Sequence, residues 1–256
     1  MLDRPLEYDK MARVERDLWW YRILHAIVVD ALRRHTAGQE ADILDAGCGT
    51  GGLMLSLRAH GYSRVSGFDL SEDALRICRE RGLSAVQENL VNIARRYPPQ
   101  SFDAVVSNDA LYFLEDDERF EFIRGARQVL RPGGLLILNV PAFKAFRGIH
   151  DVSVGIRSRF SRTDVARLFE DSGFRVVRRV FWPFLLSPVI LLIRFNQRRR
   201  MRRRPDFDVA SDVEVPPRWL NGLLYGLTRF ETRCLPFGPF GSSMFVVAQS
   251  RRSPKP

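Results

Sequence analysis

The stretch Ile43-Leu44-Asp45-Ala46-Gly47-Cys48-Gly49-Thr50-Gly51-Gly52 constrains the fold of this chain more than any other, because an apolar run breaks into a glycine-rich loop just before a helical pattern begins. Glycine lets the backbone turn tightly and approach a ligand closely, and the N-terminus of the helix behind it favours anionic groups. The loop opens an alternation. ADILDAG, SRVSGFD, LSAVQEN and SFDAVVSND read as strands, with helical patterns at 51–59 and 72–81 among them. A helix at 117–130 then leads through the turn RPGG to the strand LLILNV. Apolar strands alternating with helices belong to an α/β fold with a parallel, doubly wound sheet covered on both faces.

The flanks complete this frame. Apolar residues at helical spacing from Val14 to Arg34 make an N-terminal cover helix within segment 1–40. The core is expected at 41–181 and 243–250, where a helix at 162–171 capped by Ser161 leads to FRVVRRVF, a sheet neighbour of the late strand SSMFVVAQ. Segment 182–242 is an insertion between those two strands. It holds an apolar helix begun by Ser187 as N-cap and Pro188, which runs into RRRMRRR. A polar linker, PDFDVASDVEVPP, then leads to RWLNGLLYGLTRFETRCL, with Trp219, Leu220, Leu223, Leu224, Leu227 and Phe230 on one helical face. A basic tail occupies 251–256.

Charge narrows the partners. The net charge is +10, but RRRMRRR and the tail together supply nine of those charges, so the rest of the chain is close to neutral. A one-sided basic footprint for nucleic acid is missing, and no nucleic-acid partner is expected. The apolar segment 181–193 is too short, at ~1.5 Å per residue, to span a hydrocarbon core of ~30 Å. An apolar helix followed at once by arginines has two readings: a lid over an acceptor pocket, or peripheral contact with an anionic membrane through 184–204. Cys48, Cys78 and Cys234 form no CxxC and pair with no histidine, which points to neither a disulfide framework nor a metal site. With no signal-like apolar run in MLDRPLEYDK, a cytoplasmic location is expected, with the inner membrane face as the place of any peripheral contact.

The glycine loop alone leaves two ligands open. Gly47, Gly49 and Gly52 satisfy GxGxxG, and Asp69 follows at the spacing of a ribose-binding acid, so a nicotinamide-dependent oxidoreductase must be considered. Asp45, two residues before the first glycine, sits poorly beside a pyrophosphate and better beside a cationic sulfonium amino acid. None of the lysines (Lys10, Lys144, Lys255) has a tyrosine four residues before it, so the Tyr-Lys pair of short-chain dehydrogenases is absent.

Taken in order, ILDAGCGTGG, GFDLS, VQENL, SFDAVVSNDALYFLEDD and VLRPGGLLILNVP resemble the successive motifs of class I S-adenosylmethionine-dependent methyltransferases. The flanks resemble one bacterial small-molecule subgroup, of the methyltransferase type 11 kind, in Glu15 with Trp19-Trp20-Tyr21-Arg22, and in VPAF followed by His150, Asp151, Arg157, Arg159 and Phe160. The resemblance implies a Rossmann-like seven-stranded sheet in the order 3-2-1-4-5-7-6 with the last strand antiparallel. It implies S-adenosylmethionine as cofactor and S-adenosylhomocysteine as product. By the same resemblance Gly47, Cys48, Gly49 and Gly51 lie along the cofactor's amino acid part, with Asp45 near its ammonium and Asn108 beside it. Asp69 takes both ribose hydroxyls, Glu88 and Asn89 lie at the adenine edge, and Leu70 and Leu90 sandwich the ring.

The acceptor side departs from the subgroup. Tyr112-Phe113 replace a common Glu-His pair and Ile156 a common histidine, which points to an apolar or aromatic pocket. His150, followed by Asp151, is the candidate base for a hydroxyl acceptor. Trp20, Tyr21, Asp109 and Tyr112, with His150, are candidate acceptor contacts, while Arg157 and Arg159 either hold an acidic substrate or bond their own loop. The expected activity is methyl transfer to an oxygen or nitrogen of a small-molecule or lipid-like acceptor. The rival reading is a cofactor-binding scaffold that no longer methylates.

Overall fold

The computed structural model describes residues 5–36, 38–203, 214–235 and 238–251. Arg204, most of the polar linker and residues 252–256 of the tail lie outside them. Ten helices and seven strands follow one another: α1 (Pro5–Val14), α2 (Trp19–His35), β1 (Ile43–Ala46), α3 (Gly52–Ala59), β2 (Val65–Asp69), α4 (Glu72–Glu80), β3 (Ala85–Gln87), α5 (Ile93–Arg96), β4 (Phe102–Asn108), α6 (Asp116–Val129) and β5 (Leu130–Pro141). Then come α7 (Ile149–Val154), α8 (Arg162–Phe169), β6 (Phe174–Trp182), α9 (Ser187–Arg203), α10 (Arg218–Cys234) and β7 (Ser243–Ser250).

The sheet runs β3-β2-β1-β4-β5-β7-β6, with β7 antiparallel to both neighbours, as the resemblance implies. Period-two alternation divides the strands between two apolar layers. Leu44, Val105, Leu136 and Val246 pack on the side of α6 and α8, while Ile43, Val106, Ile137 and Val247 pack on the side of α2 and α3. Asp69, Asn108 and Asn139 come to the carboxyl edge of this sheet, Asn108 registering with Asn139 across β4 and β5.

The N-terminus differs from the single cover helix expected from Val14. The helix is broken at 15–18, and α1 folds separately over the glycine loop. No side chain of its own caps α2. Instead Asn221 of α10 accepts a hydrogen bond from the Trp19 N–H (2.9 Å) and donates to the Asp17 carbonyl (2.8 Å), satisfying the backbone groups that the break frees. Ser187 likewise is the first residue of α9 rather than its cap, and its hydroxyl donates to the Pro183 carbonyl.

α10 turns much of its apolar face outward. Its buried residues are Asn221, Thr228, Glu231 and Thr232, while Trp219, Leu223 and Phe230 are 72%, 60% and 57% exposed. The reason lies in α2, whose apolar face is already spent on the sheet through Ile23, Leu24, Ile27 and Val28. The outer face of α2 offers charge. Arg229 pairs with Asp30 (2.6 Å) and the Arg22 guanidinium lies over the Tyr225 ring (4.1 Å), so α10 docks by its polar side. Replacing Asn221 with alanine is expected to cost about 0.5–1.5 kcal/mol, because backbone groups of the half-buried Trp19 and the exposed Asp17 lose their partner. Urea unfolding measures it, and an unchanged midpoint would show that water takes over the cap.

Candidate active site

Gly47, Gly49 and Gly51 all adopt positive φ (78°, 52° and 83°), a conformation that side chains resist. A Cβ at Gly47 would also lie 2.8 Å from the Ala110 Cβ, so the loop is pressed against the end of β4. Its amides are used internally. Gly47 and Cys48 both donate to the Phe68 carbonyl (2.9 Å each), Gly49 to Asp69 Oδ2 (2.8 Å) and Gly51 to the Cys48 carbonyl (3.0 Å). A pyrophosphate would need these donors, so the loop is poorly suited to a dinucleotide.

It is well suited to a cation. Asp45 is buried, and burial first, then the charges of Asp69 and Glu15, pushes its carboxyl up to about 8. Burial also raises Asp69, against hydrogen bonds from the backbone of Ser71, Gly49 and Leu70. A positive ligand group among these acids would relieve what burial costs them. Close by in the sheet edge, Asn108 Oδ1 is buried with no hydrogen-bond partner in the protein, an acceptor awaiting a donor. Asn89 Oδ1 accepts from the Val91 N–H (3.3 Å) and Glu88 accepts from Asn89 N–H and Asn92 Nδ2 (2.8 and 2.9 Å), which fixes the turn after β3. Leu90 is buried and Leu70 half-buried at the two neighbouring strand ends. Cys48 is a packing residue, its thiol pushed up by Cys78 and burial.

Sequence reasoning missed the lid that α1 makes. Tyr8, Met11 and Glu15 recur at helical spacing and face the loop. The Met11 methyl lies 2.8 Å from where a Cβ at Gly49 would sit. The buried Glu15 carboxylate accepts from Thr50 Oγ1 (2.7 Å) and pairs with Arg81, which also donates to the carbonyls of Thr50 (2.7 Å) and Ala12 (2.9 Å). Tyr8 is held to about 12, by burial first and then by Asp69.

Asp109, a candidate acceptor contact, is a non-glycine residue at φ 53° just after β4. Such strain is kept where the surroundings enforce it. Here Asn139 does so: its carbonyl takes the Asp109 N–H (2.8 Å) and its Nδ2 donates to Asp109 Oδ2 (2.9 Å). Asn139 Oδ1 in turn accepts from Trp182 Nε1 (2.9 Å), and the Trp182 ring stacks on Trp20 at 5.3 Å. Trp20 meets Tyr21 edge-on at 5.1 Å. Burial pushes the Asp109 carboxyl up to about 7, against the Asn139 hydrogen bond and the Arg159 charge. Tyr112, its ring 4.4 Å from that of Phe113, is raised further by burial, then by the nearby Asp109, Tyr21 and Tyr8. The sign that sequence reasoning passed over was a polar residue in the apolar strand LLILNV.

The buried Asp151 carboxylate accepts from Arg159 Nε (2.5 Å), Arg159 Nη2 (3.1 Å) and the Gly148 N–H (2.9 Å), while His150 stays half-buried on α7. Arg159 donates as well to the carbonyls of Ala142 (2.9 Å) and Ser242 (3.2 Å), and Arg157, largely exposed, pairs with Glu115. Both arginines bond their own surroundings. They also line a cleft of about 510 Å³, with Arg119, Lys144, Arg147 and Ile156 among others, which includes none of the glycine-loop residues. Arg159→Met leaves a buried carboxylate unpaired and is expected to cost about 3–5 kcal/mol of stability. Cofactor affinity of the folded variant should stay within a few-fold of wild type, as calorimetry would show.

Residues 43–134 match a family described as a methyltransferase domain. The chain is 31% identical over 147 residues to the ubiquinone biosynthesis O-methyltransferase of Xanthomonas campestris pv. campestris, covering 52% of this chain and 59% of that protein. An uncharacterised methyltransferase of Schizosaccharomyces pombe is 29% identical over 181 residues, covering 62% of this chain and 69% of its own length. The matches thus span 59% to 69% of these relatives. A chain from the Haloferax volcanii complex of the Trm112 methyltransferase activator with its methyltransferase superposes with a TM-score of 0.61 over 98% of this chain and 96% of that one, and at 19% identity this shows a common fold. With the motifs, the sheet order and the acidic glycine loop in agreement, residues 43–134 form a methyltransferase domain of the class I S-adenosylmethionine-dependent kind, and S-adenosylmethionine is its cofactor.

Proposed function

We propose that this protein methylates a hydroxyl oxygen of a small, largely apolar or lipid-like acceptor, with Asp109 as the base. The observation that carries this reading is the Asp109 carboxyl: strained into place at the sheet's carboxyl edge, held by Asn139 and poised near neutrality. When bound, S-adenosylmethionine supplies a methyl group already activated on a sulfonium. The chain's own part is then to align the acceptor and remove one proton.

Asp45 would pair with the cofactor's ammonium, Asn108 Oδ1 would take a hydrogen bond from it, and Asp69 would receive the ribose hydroxyls through lone pairs not used by Gly49 and Ser71. Asn89, with Glu88 beside it, would meet the adenine edge, and Leu70 and Leu90 its faces. Tyr112, Phe113, Trp20 and Tyr21 would form an aromatic wall that keeps water from the reacting oxygen. An amine acceptor, neutral at working pH, has no need of a base tuned in this way. The Xanthomonas relative, an O-methyltransferase, supports the choice of oxygen. We assign the base role to Asp109 rather than His150, because Asp151 is committed to Arg159.

Two experiments test the reading. Calorimetry with S-adenosylmethionine and S-adenosylhomocysteine should give micromolar binding that Asp69→Ala abolishes; absence of binding to either would leave the scaffold and enzyme readings equally without a ligand. With an acceptor identified by labelled-methyl incorporation in extracts, kcat/KM should rise with pH through about 7 and level off, since the base works deprotonated. Asp109→Asn should lower it by about 10²–10⁴-fold and remove that rise. An unchanged pH profile in the variant would exclude Asp109 as base.

A further inference from the structure

We propose that α9 and α10 together form a docking surface for a bilayer carrying anionic lipid, a role independent of which atom the enzyme methylates. The two helices present apolar stripes outward. On α10 the positions 219, 222, 223, 226 and 230 follow helical spacing along one face, with Trp219, Leu223 and Phe230 more than half exposed. A Cβ at Gly222 or Gly226 would meet no atom within 4 Å, so among the described residues nothing covers this stripe. On α9 the exposed residues Val189, Leu192 and Ile193 share another face, prolonged backward by Leu185, with the exposed Phe195 at its flank beside Leu192. Glu231 joins the two, its carboxylate accepting from the N–H groups of Phe184 (2.6 Å) and Leu185 (2.7 Å) at the approach to α9.

Charge decides the occupant. Arg199 and Arg200 are exposed on the turn that ends the α9 stripe, the Arg199 guanidinium lying 5.6 Å from the Phe195 ring centre, and Arg218 and Arg233 are exposed on α10. Neither helix carries an exposed acidic side chain, for α9 has no Asp or Glu and the Glu231 of α10 is buried. A second copy of the chain, joined by a two-fold axis through this face, would set these arginines against one another with no acid within the helices to pair them. An anionic lipid surface meets both demands at once, since aromatic and aliphatic groups enter the headgroup boundary and guanidinium groups bind phosphate. No described helix is long and apolar enough to cross a membrane, so the contact is one of lying on the surface.

Sedimentation with vesicles of phosphatidylcholine containing phosphatidylglycerol tests this on the full chain. Binding is expected, at least tenfold weaker to pure phosphatidylcholine and reduced by salt. Leu192→Asp with Ile193→Asp, and separately Trp219→Asp with Leu223→Asp, should each weaken it at least tenfold while circular dichroism and S-adenosylhomocysteine affinity stay unchanged. Trp219 should shift its emission to the blue on binding, a change that Trp219→Phe removes. Three results would overturn the proposal: no vesicle binding; binding insensitive to both apolar pairs, which would mark adsorption by arginines alone; or a soluble dimer that the same substitutions dissociate. Because the control reads cofactor affinity directly, a failure of the methyltransferase reading would be seen separately.

Discussion

Burying carboxylates at the carboxyl edge of a parallel sheet is costly, and this molecule places Asp45, Asp69 and Asp109 there at the ends of β1, β2 and β4. Each is raised above the ordinary carboxylate range by burial before any neighbour acts. The structure around them can be understood as a set of responses to that cost. The glycine loop spends its amides on Phe68 and Asp69 rather than on an external anion, and the strand order brings the three acids within reach of one ligand. What remains uncompensated is a demand for positive charge at the loop, which a sulfonium and an ammonium supply and a pyrophosphate does not.

Asp109 differs from the other two in how it is held. Its orientation depends on Asn139, a polar residue wholly buried near the carboxyl end of the apolar strand β5, and Asn139 in turn depends on Trp182 at the end of β6. A buried amide with both ends engaged is rigid, because any rotation would leave a donor or an acceptor without a partner. That rigidity reaches Trp20 and Tyr21 through ring contacts, so Asp109 and these aromatic rings are parts of one packed unit.

Much of this was legible in the residues. The glycine loop and the acids at strand ends follow from local spacing, and local spacing is what a sequence displays; the strand order comes from the resemblance of the ordered motifs to a known family. The Asp109-Asn139-Trp182 network was not, because its members are brought together only by the pairing of β4 with β5 and the crossing of β6. Arg159 and Asp151 were ambiguous for a different reason: a buried ion pair uses the same residue types as an anion site, and only the position of the partner tells them apart. The outward turn of α10 was hidden because periodicity says which face of a helix is apolar but not which surface is left to receive it.

That last point links the two ends of the molecule through α2. Its inner face packs on the sheet, its first turn carries Trp20, stacked on Trp182, and Tyr21, and its outer face offers Arg22 and Asp30 to α10. A helix with apolar surface on both sides would have buried the leucines of α10 and left a smooth lid. A helix with charge on its outer side instead selects the polar face of α10 and drives Trp219, Leu223 and Phe230 into the open. The outward apolar stripe therefore follows from the sequence of α2 as much as from that of α10, and the helix that orients this stripe is the same one that carries Trp20 and Tyr21.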